Sequence, residues 1–335
     1  MLKQFINLTI ALGFCVSNCQ GQENTHKMKK ENQSNPLLCD PQTGVCEIPG
    51  TAGQEIMHDH KAIEKPVRIT YFTDPICSSC WGIEPQLKKL KLEYGSNFEI
   101  EYRMGGLLPS WDVYNSGGIG KPSDVAHHWD EVSAHYEMPI DGDVWIEDPL
   151  PSSYPPSVAF KAAEMQDKQK ALRFMRRIRE MVFLEKKNIT KWEHLAQAAV
   201  ESGLDTAKLH TDFEGKAQQL FQEDLDFSRQ SGVRGFPTMF FTDSLSNRIT
   251  VYGVKPYQQF EQALLQLYPQ SVKKQYDNSP GFLFSHFGTL TTKEFAVLTG
   301  VTFDEANVKL KDLAAKKVIT RQDSKNGPLW KYVSQ

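Results

Sequence analysis

The stretch Tyr71-Phe72-Thr73-Asp74-Pro75-Ile76-Cys77-Ser78-Ser79-Cys80-Trp81-Gly82 decides the reading of this chain. Upstream of it, Val67 to Phe72 is β-branched and aromatic, the composition of a buried strand, and Asp74-Pro75 stops it. Downstream, Cys80, Ile83, Leu87, Leu90 and Tyr94 recur at helical spacing, with Lys88, Lys89 and Lys91 turned outward. Pro85 inside that pattern predicts a kink. Gly95 ends the helix, and Phe98 to Met104 supplies a second strand before Gly105-Gly106. The unit is β-α-β with a Cys-x-x-Cys pair at its first helical turn.

A thiol at a helix N-terminus meets unpaired N-H groups and the positive end of the dipole, both of which favour thiolate. This predicts Cys77 as a nucleophile of lowered pKa, with Cys80 the more buried, resolving partner. Such a pair is too tight to be a good structural staple. A lone Cys-x-x-Cys is also half a zinc site, but the strand-Pro-Cys-x-x-Cys-helix context argues for redox chemistry with no metal and no cofactor. Asp74 and Glu84 are the acids within reach for proton transfer. Each has a plainer reading, Asp74 as part of the Asp-Pro turn and Glu84 as a solvated helix residue.

Far along the chain, Val233 to Phe241 returns to a β pattern, with Gly235-Phe236-Pro237-Thr238 at its head. Proline in a strand removes a ladder donor, so a cis Phe236-Pro237 bond is expected, presenting the Phe236 backbone to an incoming extended chain. Phe236, Trp81, Ser78 and Ser79 are the expected substrate-binding residues. Arg248 to Tyr252 pairs as a hairpin, and Pro256 to Tyr268 closes with a helix.

Between these β regions, residues 111–229 carry helical patterns only, among them Ser157 to Lys170, Ala171 to Lys186, Thr190 to Ser202 and Thr206 to Ser228. The Pro149 to Pro156 turn is expected to shape the junction with the cysteines. His127, His128 and His135 stand beside Trp129 and Tyr136, which favours packing or a groove over metal ligation. The motifs at Tyr71 to Gly82, Met104-Gly105-Gly106-Leu107-Leu108-Pro109-Ser110-Trp111 and Gly235 to Thr238 resemble the DsbA family, nearest its FrnE-like and YjbH-like branch. The resemblance implies an α/β thioredoxin fold, residues 66–110 and 230–270, interrupted by an all-helical insertion, with Cys77, Cys80 and Pro237 at the active-site positions. It also implies a thiol:disulfide oxidoreductase acting on protein thiols or disulfides with a redox partner protein. The alternative is a non-enzymatic adaptor or chaperone using the same groove, since YjbH-like members deliver a regulator to a protease.

The two ends carry separate readings. Lys3 and the apolar Phe5 to Val16 suit a secretory signal over residues 1–19. Val16-Ser17-Asn18-Cys19 resembles a lipobox, which predicts lipidation at Cys19 and an exported, periplasmic or lipid-anchored protein. Residues 20–65 read as a flexible tether holding Cys39 and Cys46, either a second redox pair or a local staple. A Cys2His2 set with His58 and His60 is the weaker option, its spacing matching no common zinc module. At the other end, residues 281–335 hold capping boxes Thr291-x-x-Glu294 and Thr302-x-x-Glu305 and a terminal hairpin, a small winged-helix-like module. Its mixed charges, and a net charge of −3 for the chain, argue against nucleic acid as partner.

Overall fold

The structure, a computed structural model, describes residues 44, 46–47, 65–113 and 120–333, all within one unit spanning residues 34–335. The expected signal, Cys19 and Cys39, together with His58 and His60, lie outside the described residues.

The tether contributes one element, β1 (Cys46–Glu47), where the sequence predicts none. After it, β2 (Val67–Thr73) is buried at every position, as its β-branched and aromatic run requires of a central strand. The expected kinked helix is two helices, α1 (Ser78–Gly82) and α2 (Glu84–Tyr94), parted at Ile83. Pro85 lacks an N-H and would strike the carbonyl one turn back, so it sits in the first turn of a new helix instead of bending an old one. Lys88, expected outward, is buried against Glu84 and Glu294. β3 (Phe98–Met104) follows and runs parallel to β2.

The helical insertion is α3 (Ser123–Tyr136), α4 (Val144–Glu147), α5 (Tyr154–Gln166), α6 (Lys168–Leu184), α7 (Trp192–Glu201), α8 (Thr206–Glu214) and α9 (Lys216–Gln230). Gly215 divides the long pattern that began at Thr206. The chain then returns as β4 (Gly235–Phe236), β5 (Thr238–Asp243), β6 (Arg248–Tyr252) and α10 (Tyr257–Leu267). One sheet has the order β3-β2-β5-β6, with β5 antiparallel to β2 and β6 antiparallel to β5. Asp224 of α9 is buried and ties the insertion to this sheet, accepting from the Met104 N-H at 2.9 Å and from Arg103 at 3.0 Å.

The C-terminal region is α11 (Pro280–Phe287), β7 (Thr289–Thr291), α12 (Thr292–Thr299), α13 (Phe303–Ala315), β8 (Ile319–Gln322) and β9 (Leu329–Tyr332). Both capping boxes form, and the strands make a small sheet of order β7-β9-β8 around a core that includes Leu283, Phe295, Leu310 and Trp330. This region is clamped to the rest through Glu294, whose carboxylate caps α12 and also takes a bidentate pair from Arg176 of α6 at 2.7 and 3.0 Å.

Candidate functional site

The β2-β5 register sets Phe72 opposite Thr238, so the loop leaving β2 and the residues entering β5 meet at one end of the sheet. That loop carries Asp74, Cys77 and Cys80, and the other strand carries Phe236 and Pro237, joined by a cis bond. Residues 160 apart in sequence are thereby brought together, as the spacing of motifs predicted.

Cys77 is the N-cap of α1, and its sulfur accepts from the Cys80 N-H at 3.2 Å. Both cysteines are fully buried. Burial pushes the Cys77 thiol well up, and the neighbouring Cys80 adds to that rise. Burial also opposes the Cys80 thiolate, but the hydrogen bond with Cys77, the Arg179 charge, Thr73 and Tyr71 outweigh it and bring Cys80 below its ordinary value. The asymmetry follows the charges: the Arg179 guanidinium favours the Cys80 thiolate, while Cys80 itself and Asp74 oppose one on Cys77.

Arg179 of α6 is 1% exposed and is a residue of this site that motif reading misses. It donates to Thr73 Oγ1 and Glu84 Oε1, each at 2.7 Å, and to the Asp74 carbonyl at 3.2 Å. The signal was present: Arg179 lies on the face of α6 that also carries Met175, Ile178 and Val182, all buried. A charge on an apolar stripe needs a partner.

Asp74 and Glu84, the expected proton carriers, are both engaged, one by hydrogen bonds and the other by ion pairs. The Asp74 carboxylate accepts from the Ile76 N-H at 3.0 Å, the Leu107 N-H at 2.7 Å and the Ser153 hydroxyl at 2.7 Å, fastening three segments together. It is the Pro149 to Pro156 turn that delivers Ser153. Burial raises Asp74 to about 6, and the Leu107 and Ile76 amides, the Ser153 hydroxyl and the Arg179 charge offset it only in part. Glu84 is no solvated helix residue; it pairs with Arg179 and Lys88, and although burial pushes it up, those cations bring it below its ordinary value.

The expected substrate-binding side chains face inward. Trp81 is fully buried, donates to the Pro139 carbonyl at 3.1 Å, stacks on Phe183 and lies under the Arg176 guanidinium. Ser79 shares a 2.9 Å hydrogen bond with Tyr136, and Ser78 is 1% exposed. The Phe236 ring packs over Gly105, where a Cβ would come within 1.7 Å of it. What Phe236 presents outward is its backbone, and that backbone pairs with Cys46. Tight packing of α1 against the insertion is the reason the side chains are unavailable: a Cβ on Gly82 would lie 2.6 Å from the Tyr136 ring.

A protein-family model described as Thioredoxin matches residues 71–262. The chain is 35% identical over 308 residues to the ClpXP adapter protein SpxH of Halalkalibacterium halodurans, covering 90% of this chain and 98% of that one. It is 29% identical over 282 residues to the ClpXP adapter protein SpxH of Bacillus subtilis, covering 83% and 93%. Among solved structures, a putative protein disulfide isomerase from Nitrosomonas europaea aligns with a TM-score of 0.51 at 22% identity over 62% of this chain and 97% of that one. That likeness supports the fold and nothing beyond it. The expectation of a thiol:disulfide oxidoreductase, and of an enzyme at all, is therefore corrected. Relatives matching nearly the whole chain are named as adapters. With the thioredoxin fold in its sheet, the helical insertion in α3 to α9 and near full-length identity to these proteins, the chain belongs to the thioredoxin-fold SpxH family.

Proposed function

We propose that this protein is an adaptor that binds a client protein and presents it to the ClpXP protease, with the thioredoxin fold serving as a binding module. The observation that carries this reading is the full-length relationship at 35% identity to a protein named for that role. The site's own chemistry agrees with it. Cys77 and Cys80 are fully buried, and the charged groups around them, Arg179, Glu84 and Lys88, are engaged with one another. Such a network stiffens the junction between the thioredoxin sheet, the insertion and the C-terminal region, giving a client a rigid surface to dock on.

The test is the half-life of ClpXP substrates in source cells with and without the gene. At least one protein should persist several-fold longer without it, and a Cys77→Ala, Cys80→Ala chain should restore its turnover. If no half-life changes, or if restoration depends on the cysteines, the adaptor reading fails. Export through the lipobox-like run ending at Cys19 is a competing proposal about location, because ClpXP acts inside the cell. The mass of the chain isolated from those cells separates the two. The adaptor reading expects an unprocessed, unlipidated Cys19, and a lipid-modified N-terminus there would overturn it.

A further inference from the structure

An open cavity of about 490 Å³ lies between α2, α6 and the turn from α11 into β7, within the size range of ligand pockets. Its lining holds six lysines and arginines against three glutamates, a local excess in a chain of net charge −3. Lys88, Arg176, Arg177 and Arg179 are each answered by at least one glutamate. Lys91 of α2 and Arg173 of α6 are not: both are exposed, and neither forms an ion pair among the described residues. Lys91 donates to the Tyr102 hydroxyl at 3.0 Å and Arg173 to the Ser202 carbonyl at 3.4 Å, neutral acceptors that leave both charges uncompensated. The same cavity has apolar surface, with Leu87 and Met175 buried in its wall and Leu172 and Phe287 partly buried.

The paired cations have their partners already, so an incoming group gains from the two that do not. An anion beside Lys91 or Arg173 gains charge that nothing on the protein cancels, and an apolar group beside Leu172 and Phe287 removes their exposed surface from water. A free inorganic anion would use the first feature and waste the second. We propose that this cavity docks a short segment of a partner protein in which acidic and apolar side chains alternate, its carboxylates set against Lys91 and Arg173 and its apolar groups against the wall of Leu87, Leu172, Met175 and Phe287. The two cations are exposed, so they steer and select the segment, and binding weakens as salt screens them. That the partner is a client for proteolysis rests on the adaptor reading; the site itself does not.

The experiment uses the full-length chain and, as probe, a fluorescein-labelled hexapeptide of alternating glutamate and leucine, read by fluorescence polarisation. The Lys91→Ala, Arg173→Ala double variant should bind it at least about tenfold more weakly than wild type, and wild-type binding should fall as sodium chloride rises from about 50 to about 300 mM. A Lys168→Ala, Lys170→Ala chain, which loses two charges of α6 outside the cavity, should bind as wild type does. A hexapeptide of alternating glutamate and serine should bind more weakly than the leucine probe. Absence of binding to wild type overturns the proposal, as does equal binding to wild type and the Lys91, Arg173 variant, or an equal loss in the Lys168, Lys170 variant. If inorganic tripolyphosphate binds in a manner that depends on Lys91 and Arg173 while the leucine probe does not, the ligand is a phosphate and the peptide proposal falls. Should the double alanine variant unfold, Lys91→Gln with Arg173→Gln, closer in length, is read in the same assay. No protease or client enters these measurements, so their failure leaves the adaptor reading standing, and an unchanged client half-life leaves the docking cavity standing.

Discussion

Two acids within one site, Asp74 buried and Glu84 partly buried, behave in opposite ways. The Asp74 carboxylate is hydrogen-bonded by neutral donors alone, the Ile76 and Leu107 amides and the Ser153 hydroxyl, with the Arg179 charge acting on it without an ion pair, and burial raises it to about 6. Glu84 is paired with Arg179 at 2.7 Å and Lys88 at 3.6 Å, and its pKa is lowered. Dipoles and a cation without an ion pair only soften the cost of burying the Asp74 carboxylate, whereas directly paired cations reverse it for Glu84. The consequences for stability have opposite signs. The contribution of Glu84 is present at neutral pH and is lost as pH falls through the ordinary carboxylate range. That of Asp74 is complete below its ordinary value near 3.8 and is lost as pH rises through about 6.

Arg179→Met is the strongest way to break this contrast, because it strips the partly buried Glu84 of its closest cation and leaves it with Lys88 and the Arg176 charge. The expected cost is about 3–5 kcal/mol, read from the urea unfolding midpoint. Cys80 should titrate higher in the same variant, seen as a shift of its alkylation rate to higher pH. An unchanged Cys80 profile would mean that Arg179 does not govern the dithiol. Next comes Asp74→Asn, followed from pH 4 to pH 7. The stability of wild type relative to this variant should decline by roughly 2–3 kcal/mol as pH rises, the value of a shift of about two pKa units. A constant gap would place Asp74 with Glu84 as an ordinary ionised acid. The smallest effect is expected at the edge of the charged network. Thr291→Ala removes the cap that receives the Glu294 N-H while leaving the Glu294–Arg176 pair intact, and should cost about 1 kcal/mol in thermal or urea unfolding.

These contrasts separate what could be read along the chain from what could not. The strand ending at Asp74-Pro75, the helical turn at Cys77, the return at Phe236-Pro237 and both capping boxes were legible because each is local, a matter of periodicity, proline and cap chemistry. The break at Ile83 was half legible, since Pro85 announced a disturbance but not whether one helix bends or two abut. Burial of Trp81, Ser78 and Ser79 was not, because the helices that cover them come from the insertion. Nor was the second duty of Glu294, which its capping box explains fully without Arg176.

By itself, then, the sequence determined the order of strands and helices and the residues that meet at the end of the sheet, because these follow from short-range pattern and backbone chemistry. Only the tertiary structure decided how those residues behave. How readily a cysteine or an acid ionises and whether a strand edge is paired depend on charges and chain segments brought from far away: Arg179 to Cys80, Ser153 to Asp74, and Cys46 to Phe236.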